Sequence, residues 1–158
     1  MSDLSHVGSD GAARMVDVSH KAPTARTARA TGAIVMTAAA AAAVRANSLG
    51  KGDVLGVARL AGIMAAKRTA ELVPLCHQIA LSDVSVDLAV DDALPGVRVS
   101  AVARTLAPTG VEMEAIVAAT MALVTVYDMV KAVDKSMTLT EIRLVEKTGG
   151  KSGDWHRG

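Results

Sequence analysis

Apolar positions change their spacing several times along this 158-residue chain, and each change marks an element. Val84, Val86, Leu88 and Val90 alternate with Ser85, Asp87 and Ala89, the period of two that turns one strand face to a core and the other to water. Val97, Val99, Ala101 and Ala103 repeat the pattern beyond the turn residues Asp91 to Gly96, so the two runs pair as an antiparallel hairpin. Upstream, a short β-type run from Gly32 to Thr37 passes into an alanine helix that ends around Asn47 to Gly50. A second helix begins at Asp53, a good N-cap, with Val54, Val57, Ala61 and Met64 at helical spacing. Thr109, with Glu112 three residues on, fits a capping box opening a helix that runs to about Val133, and a strand from Thr138 to Lys147 follows. In order this is β-α-β-β-α-β with a divided first helical region. The pattern predicts an α+β, ferredoxin-like fold, an antiparallel sheet with helices packed on one face.

No stretch between these elements is long enough to separate domains. Residues 1–12 read as a flexible lead-in, 13–147 as one domain ordered from near Met15, and 148–158 as a flexible segment rich in Gly and Lys. The helix after Gly110 is the most informative element. From Ala115 through Tyr127 it carries no charge, and apolar side chains surround it on nearly every side. A sheet can cover only one face of it, so Met121, Leu123, Val124, Val126 and Met129 leave apolar surface for a second subunit.

Composition narrows the function. Lys plus Arg number 17 and Asp plus Glu 16, a net charge of +1 that gives no sign of nucleic-acid or membrane partners. Aromatic residues make up 1%, Tyr127 and Trp155 alone, which removes the stacking platforms of single-strand and RNA binders. The single Cys76 excludes an intrachain disulfide framework and CxxC-type zinc sites. The polar N-terminus lacks an apolar signal core, so the cytoplasm is the expected compartment. The closest approach to a membrane span is Ala33 to Ala46, too short and too weakly apolar where about 20 apolar residues are needed.

Asp128 and Lys131 share one helix face, where the spacing alone reads as a helical ion pair. Set in an apolar helix, the pair is expected to be desolvated, with pKa values open to tuning for proton transfer. Glu114 stands on nearly the same face fourteen residues earlier, about 21 Å away at ~1.5 Å per residue, too far for one small molecule to bridge within one subunit. His77 follows Cys76 in a loop beside Pro74, where a structural and a catalytic role are equally open, and Cys76 reads as a small buried filler. His6, His20 and His156 are scattered without metal-ligand spacing, and neither a metal nor a cofactor is expected. Gly149-Gly150-Lys151-Ser152 fails as a phosphate loop because Val145 stands where a glycine is required. Lys51 lies between glycines just before a helix N-terminus, where backbone N–H groups favour anions, and Lys67-Arg68 complement the far end of that helix.

Seven ordered motifs, Met15-Val16-Asp17-Val18-Ser19, Lys51-Gly52-Asp53-Val54, Ala65 to Thr69, Leu75-Cys76-His77, Gly110 to Ala115, Tyr127-Asp128-Met129 with Lys131-Ala132-Val133, and Lys147 to Gly153, together resemble the molybdenum-cofactor biosynthesis protein C family. The resemblance runs from about Met15 to Gly153. Its departures are Gln78 after His77, where proline is often expected, and the plain alanine run. It implies a phosphorus–oxygen lyase, a cyclic pyranopterin monophosphate synthase, that turns the GTP-derived (8S)-3′,8-cyclo-7,8-dihydroguanosine 5′-triphosphate into cyclic pyranopterin monophosphate and diphosphate. It further implies hexamers built as trimers of dimers, with active sites at subunit interfaces. By motif match Asp128 is the catalytic acid/base with Lys51 and Lys131 as essential partners, while Leu75, Cys76, His77, Met113 and Glu114 contact substrate. Lys67, Lys147 and Arg26 are expected to join Lys51 in stabilising the leaving diphosphate, and Glu112 is either a substrate ligand or only the capping-box partner. A homologue that binds a nucleotide or pterin without catalysis is the alternative.

Overall fold

The computed structural model describes residues 7, 8 and 10–158; His6 and part of the 1–12 lead-in lie outside the described residues. The order of elements is β1 (Thr24–Val35), α1 (Ala38–Arg45), α2 (Val54–Ala66), α3 (Thr69–Leu72), β2 (Asp83–Asp91), β3 (Gly96–Ala107), α4 (Glu112–Val130), β4 (Thr138–Thr148) and β5 (Trp155–His156). The strands form one sheet in the order β2-β3-β1-β4-β5, with every neighbouring pair antiparallel. Helices pack against this sheet, giving the expected α+β, ferredoxin-like arrangement.

Several boundaries differ from the sequence reading. β1 begins at Thr24, not Gly32, because its inward positions Ala28 and Ala30 are fully buried but too small to give a clear apolar alternation. The helix after Gly110 starts at Glu112 with Val111 at its N-cap, and no side chain caps it. Thr109 is therefore two residues too early for a capping box, and Glu112 turns its carboxylate elsewhere. On α2 the buried stripe is Val54, Ala58, Gly62, Ala65 and Ala66, while Val57, Leu60 and Met64 are exposed. Small residues face inward there because α2 packs tightly on α4: a Cβ at Gly62 would stand 2.8 Å from the Ala118 carbonyl oxygen. The C-terminal segment turns at Gly149 and Gly150 and returns as β5, pairing Trp155 with Lys147 and His156 with Glu146.

The core is built from alanine and valine, with Leu123 and Ile34 its largest fully buried side chains. α4 is its spine. It packs between the sheet, against β1 and β3, and α2, burying Ala115, Ala118, Ala119, Ala122, Leu123, Val126 and Val130. Leu123, Val126 and Met129 are thus used up in the subunit's own core, and the outer side shows Met113 and Val124 exposed with Val117 and Met121 half-buried. Among the described residues α4, not Ala33 to Ala46, is the helix long and apolar enough to span a bilayer, yet it is the central core helix and half of its apolar window is buried.

Candidate active site

Two clusters of chemistry-bearing side chains occupy opposite ends of α4. At its C-terminal end, the loop between α1 and α2 carries Lys51 to the last turn of the helix. Its Nζ donates to Asp128 Oδ2 at 3.1 Å and to the Asp128 carbonyl at 2.9 Å. Lys131 Nζ donates to the other carboxylate oxygen, Oδ1, at 2.6 Å. Asp128 is held between two ammonium groups, one from its own helix and one from a distant loop.

This arrangement corrects two expectations. Lys51 does not serve an anion at the α2 N-terminus, because Asp53 occupies that end, accepting from Gly56 N at 2.9 Å. Nor is Asp128 desolvated: its side chain is 57% exposed, with Lys51 and Lys131 about half exposed beside it. Pairing, first with Lys131 and then with Lys51, holds its carboxyl below the usual carboxylate range, and the same contact raises Lys131.

The second cluster surrounds the N-terminal end of α4. The 73–77 loop folds over the first turn, so that Glu114 is 3% exposed although its helical position lies close to that of Asp128. Cys76 Sγ is 3.8 Å from Glu114 Oε1, and Oε2 has no hydrogen-bond partner. Burial pushes the Glu114 carboxyl up, and burial together with the Glu114 charge pushes the Cys76 thiol up to about 11. His77 Nε2 is 2.6 Å from the Val16 carbonyl, the bond of a nitrogen that carries its proton there, and this ties the Met15–Ser19 motif to the loop.

Val73, Leu75, Cys76, His77, Thr109 and Met113 line a cleft of about 340 Å³ here. Gly110 and Glu112 separate it from a second, cationic groove of about 380 Å³ that Lys21, Arg26, Lys147, Lys151 and Ser152 line. Glu112 Oε1 accepts from Lys147 Nζ at 2.8 Å, each side chain being under one-third exposed. Glu112 therefore pairs with Lys147 and does not cap α4.

The expected residues therefore separate into Lys51, Asp128 and Lys131 at one end and Leu75, Cys76, His77, Glu112, Met113, Glu114, Lys147 and Arg26 at the other. Lys67, the C-cap of α2, is exposed and lines neither cavity, though antiparallel packing puts it at the same end of the helix layer as Glu114. Lys21 joins the groove without any sequence expectation, and Lys151 joins it from the glycine-rich tail, which on sequence could fold over an anion but reads more simply as a flexible terminus. Lys21 stands in an irregular stretch whose only signal was its place just ahead of β1, and Lys151 is delivered by the Gly149-Gly150 turn. Among the described residues no three His, Cys, Asp or Glu side chains are grouped to hold a metal ion.

A carboxylate held between two ammonium groups and a lysine-lined groove, set at the two ends of one helix, place the chain in the class of α+β, ferredoxin-like proteins with polar clusters suited to a charged small molecule. The chain belongs to the MoaC family, whose model matches residues 15–150. It is 58% identical over 155 residues to the cyclic pyranopterin monophosphate synthase of Methylobacterium sp. (strain 4-46), covering 98% of this chain and 97% of that protein. The enzyme of the same name from Nocardioides sp. (strain ATCC BAA-499 / JS614) is 56% identical, covering 98% and 95%. That from Cereibacter sphaeroides (strain ATCC 17029 / ATH 2.4.9) is 57% identical, covering 97% and 96%.

Proposed function

We propose that this chain is a cyclic pyranopterin monophosphate synthase, a cytoplasmic lyase of molybdenum cofactor biosynthesis. It converts (8S)-3′,8-cyclo-7,8-dihydroguanosine 5′-triphosphate to cyclic pyranopterin monophosphate and releases diphosphate. The observation that carries the reading is the meeting of Lys51, Asp128 and Lys131, which places a carboxylate between two proton-bearing ammonium groups. Rebuilding a purine-derived ring system moves protons on and off nitrogen and oxygen, and such a triad can accept a proton at Asp128 and return one from a lysine. Closing the cyclic phosphate expels diphosphate with its negative charge, for which the groove supplies Lys21, Lys147 and Lys151. With no Phe, Tyr or Trp lining the cleft, the base is held mainly by its hydrogen-bonding edge, and Glu114 Oε2, buried behind the cleft without a partner, is the acceptor for an N–H.

A single subunit keeps these two halves apart, and a second copy joins them. The outer face of α4 carries Met113, Val117, Met121 and Val124, and Glu114 and Asp128 are equidistant in sequence from Met121. Two copies of α4 crossing antiparallel at Met121 about a two-fold axis bring Glu114 of each opposite Asp128 of the other. The crossing covers the apolar face and forms two complete sites. Trimerisation of such dimers gives the hexamer that the family resemblance implies.

The reading is tested by incubating the chain with the cyclic triphosphate and detecting the product by mass. Formation of cyclic pyranopterin monophosphate together with diphosphate supports it. Tight binding without conversion would leave only a carrier.

A further inference from the structure

Arg26 lies on β1 at the floor of the cationic groove, half-buried. Its Nε donates to the Ala107 carbonyl at 3.1 Å and its Nη2 to the Pro108 carbonyl at 3.2 Å. These are the last carbonyl of β3 and the one after it, where the β1–β3 ladder ends at the pair Thr24 and Ala107. The chain then passes through Thr109 and Gly110 to Val111 and Glu112, and α4 begins with no side-chain cap. Where a cap would ordinarily fix the first turn, the guanidinium fork holds the approach to it.

The same side chain meets the C-terminal turn. Gly150, at φ +85°, lies so close that a Cβ there would run into Arg26 Nη1. Gly149, at φ +86°, lies equally close to the carbonyl of Ala25, the residue before Arg26. Both positions need glycine for backbone shape and for space. One guanidinium, carried on β1, thereby touches the end of β3, the turn that introduces Glu112, and the turn that delivers Lys151.

We propose that Arg26 is a positioning residue for the anion groove, fixing the Pro108–Gly110 and Gly149–Gly150 turns to β1 so that Glu112, Lys147 and Lys151 face the phosphate end of the substrate. This rests on the functional reading above. Charge and fork are separable. A lysine at position 26 keeps the positive charge in the groove but cannot bridge two adjacent carbonyls, because its one ammonium sits on a flexible stem. Loosening the start of α4 misplaces Glu112, and misplacement of ~1 Å is enough to cost turnover heavily while binding survives.

The experiment compares full-length wild type, Arg26→Lys and Gly150→Ala, the second variant perturbing the same contact from its other side. Amide exchange is read at Thr109–Glu112 and Gly149–Lys151, kcat and KM with the cyclic triphosphate, and affinity with inorganic diphosphate. The expected result for each variant is faster exchange at both turns and a roughly tenfold fall in kcat, with KM and diphosphate affinity within about threefold of wild type. The double variant is expected to fall no further than the worse single one, as for two substitutions that break one contact. Unchanged protection at both turns, or a tenfold loss of diphosphate affinity with kcat preserved, overturns the proposal and makes Arg26 a direct phosphate ligand. If the wild type does not turn over the cyclic triphosphate, the functional reading fails, while exchange and diphosphate binding still decide the role of Arg26.

Discussion

Lys51 and Asp128 stand 77 positions apart in the sequence and meet through two hydrogen bonds, one to the carboxylate and one to the backbone carbonyl of the same residue. The second contact fixes the ammonium independently of the charge state of the carboxylate, so Lys51 stays in place when Asp128 takes up a proton. Asp128→Asn is expected to lower kcat by about 10²–10⁴-fold with thermal stability unchanged, read by steady-state kinetics and a melting curve. Lys51→Ala is expected to match it.

The pH dependence of the triad follows from its signs. Both lysines favour ionised Asp128, so its protonation lies below the ordinary carboxylate range and the acid limb of the rate profile lies low. Lys131→Met removes the larger of the two influences, and the acid limb of its residual kcat/KM is expected to move to higher pH. An unmoved limb would mean that another group sets it.

Sites shared between subunits can be recognised by mixing. Asp128→Asn and Glu114→Gln are each expected to be inactive alone. Chains of the two variants, dissociated and reassembled together, are expected to recover activity, because a mixed dimer holds one site with neither substitution. Recovery of about one-quarter of the wild-type rate follows from random pairing of two-site dimers. No recovery would place both residues in one subunit's site.

Glu114 makes stability depend on pH in a stated direction. Burial raises its pKa in the folded chain, so the folded state favours the protonated form. Its favourable contribution is complete below the unfolded-state value and declines as pH rises through the folded-state value. Glu114→Gln keeps the shape without the charge, and its melting temperature is expected to gain on the wild type as pH rises above the ordinary carboxylate value.

The thiol of Cys76, pushed up to about 11, is protonated at neutral pH. Alkylation by iodoacetamide is expected to be at least tenfold slower than for a free cysteine. Cys76→Ser preserves the donor to Glu114 and is expected to keep most of the activity.

Packing between α2 and α4 is tested at Gly62, where a methyl group would press on the Ala118 carbonyl oxygen from 2.8 Å. Gly62→Ala is expected to cost about 1–3 kcal/mol and several degrees of melting temperature, despite alanine's better helix propensity.

The alternating valines of β2 and β3 and the Asp53 cap could be read directly, because large apolar side chains and a side-chain oxygen leave strong local patterns. The first half of β1 could not, since Ala28 and Ala30 do the work of valines with too little apolar surface to register. Of the α2 residues with helical spacing, Val54 is buried as expected but Val57 and Met64 lie on the outer face, because alanine and glycine, which carry little periodic signal, form the contact with α4. Motif resemblance found Asp128, Lys51 and Lys131, but the expectation of desolvation came from judging one helix without the surface on which Asp128 stands. Lys21 was missed because nothing in an irregular stretch shows which way the chain turns.

The interval from Glu114 to Asp128 along α4 has a meaning beyond packing. One residue inserted into the middle of the helix would rotate one end about 100° relative to the other and lengthen it by ~1.5 Å. In an antiparallel pair that single change alters both reaction centres together, and no local adjustment at either end can restore them. Under the proposed pairing the length of α4 becomes a chemical dimension, a ruler set by the molecule that reacts as well as by the sheet beneath it.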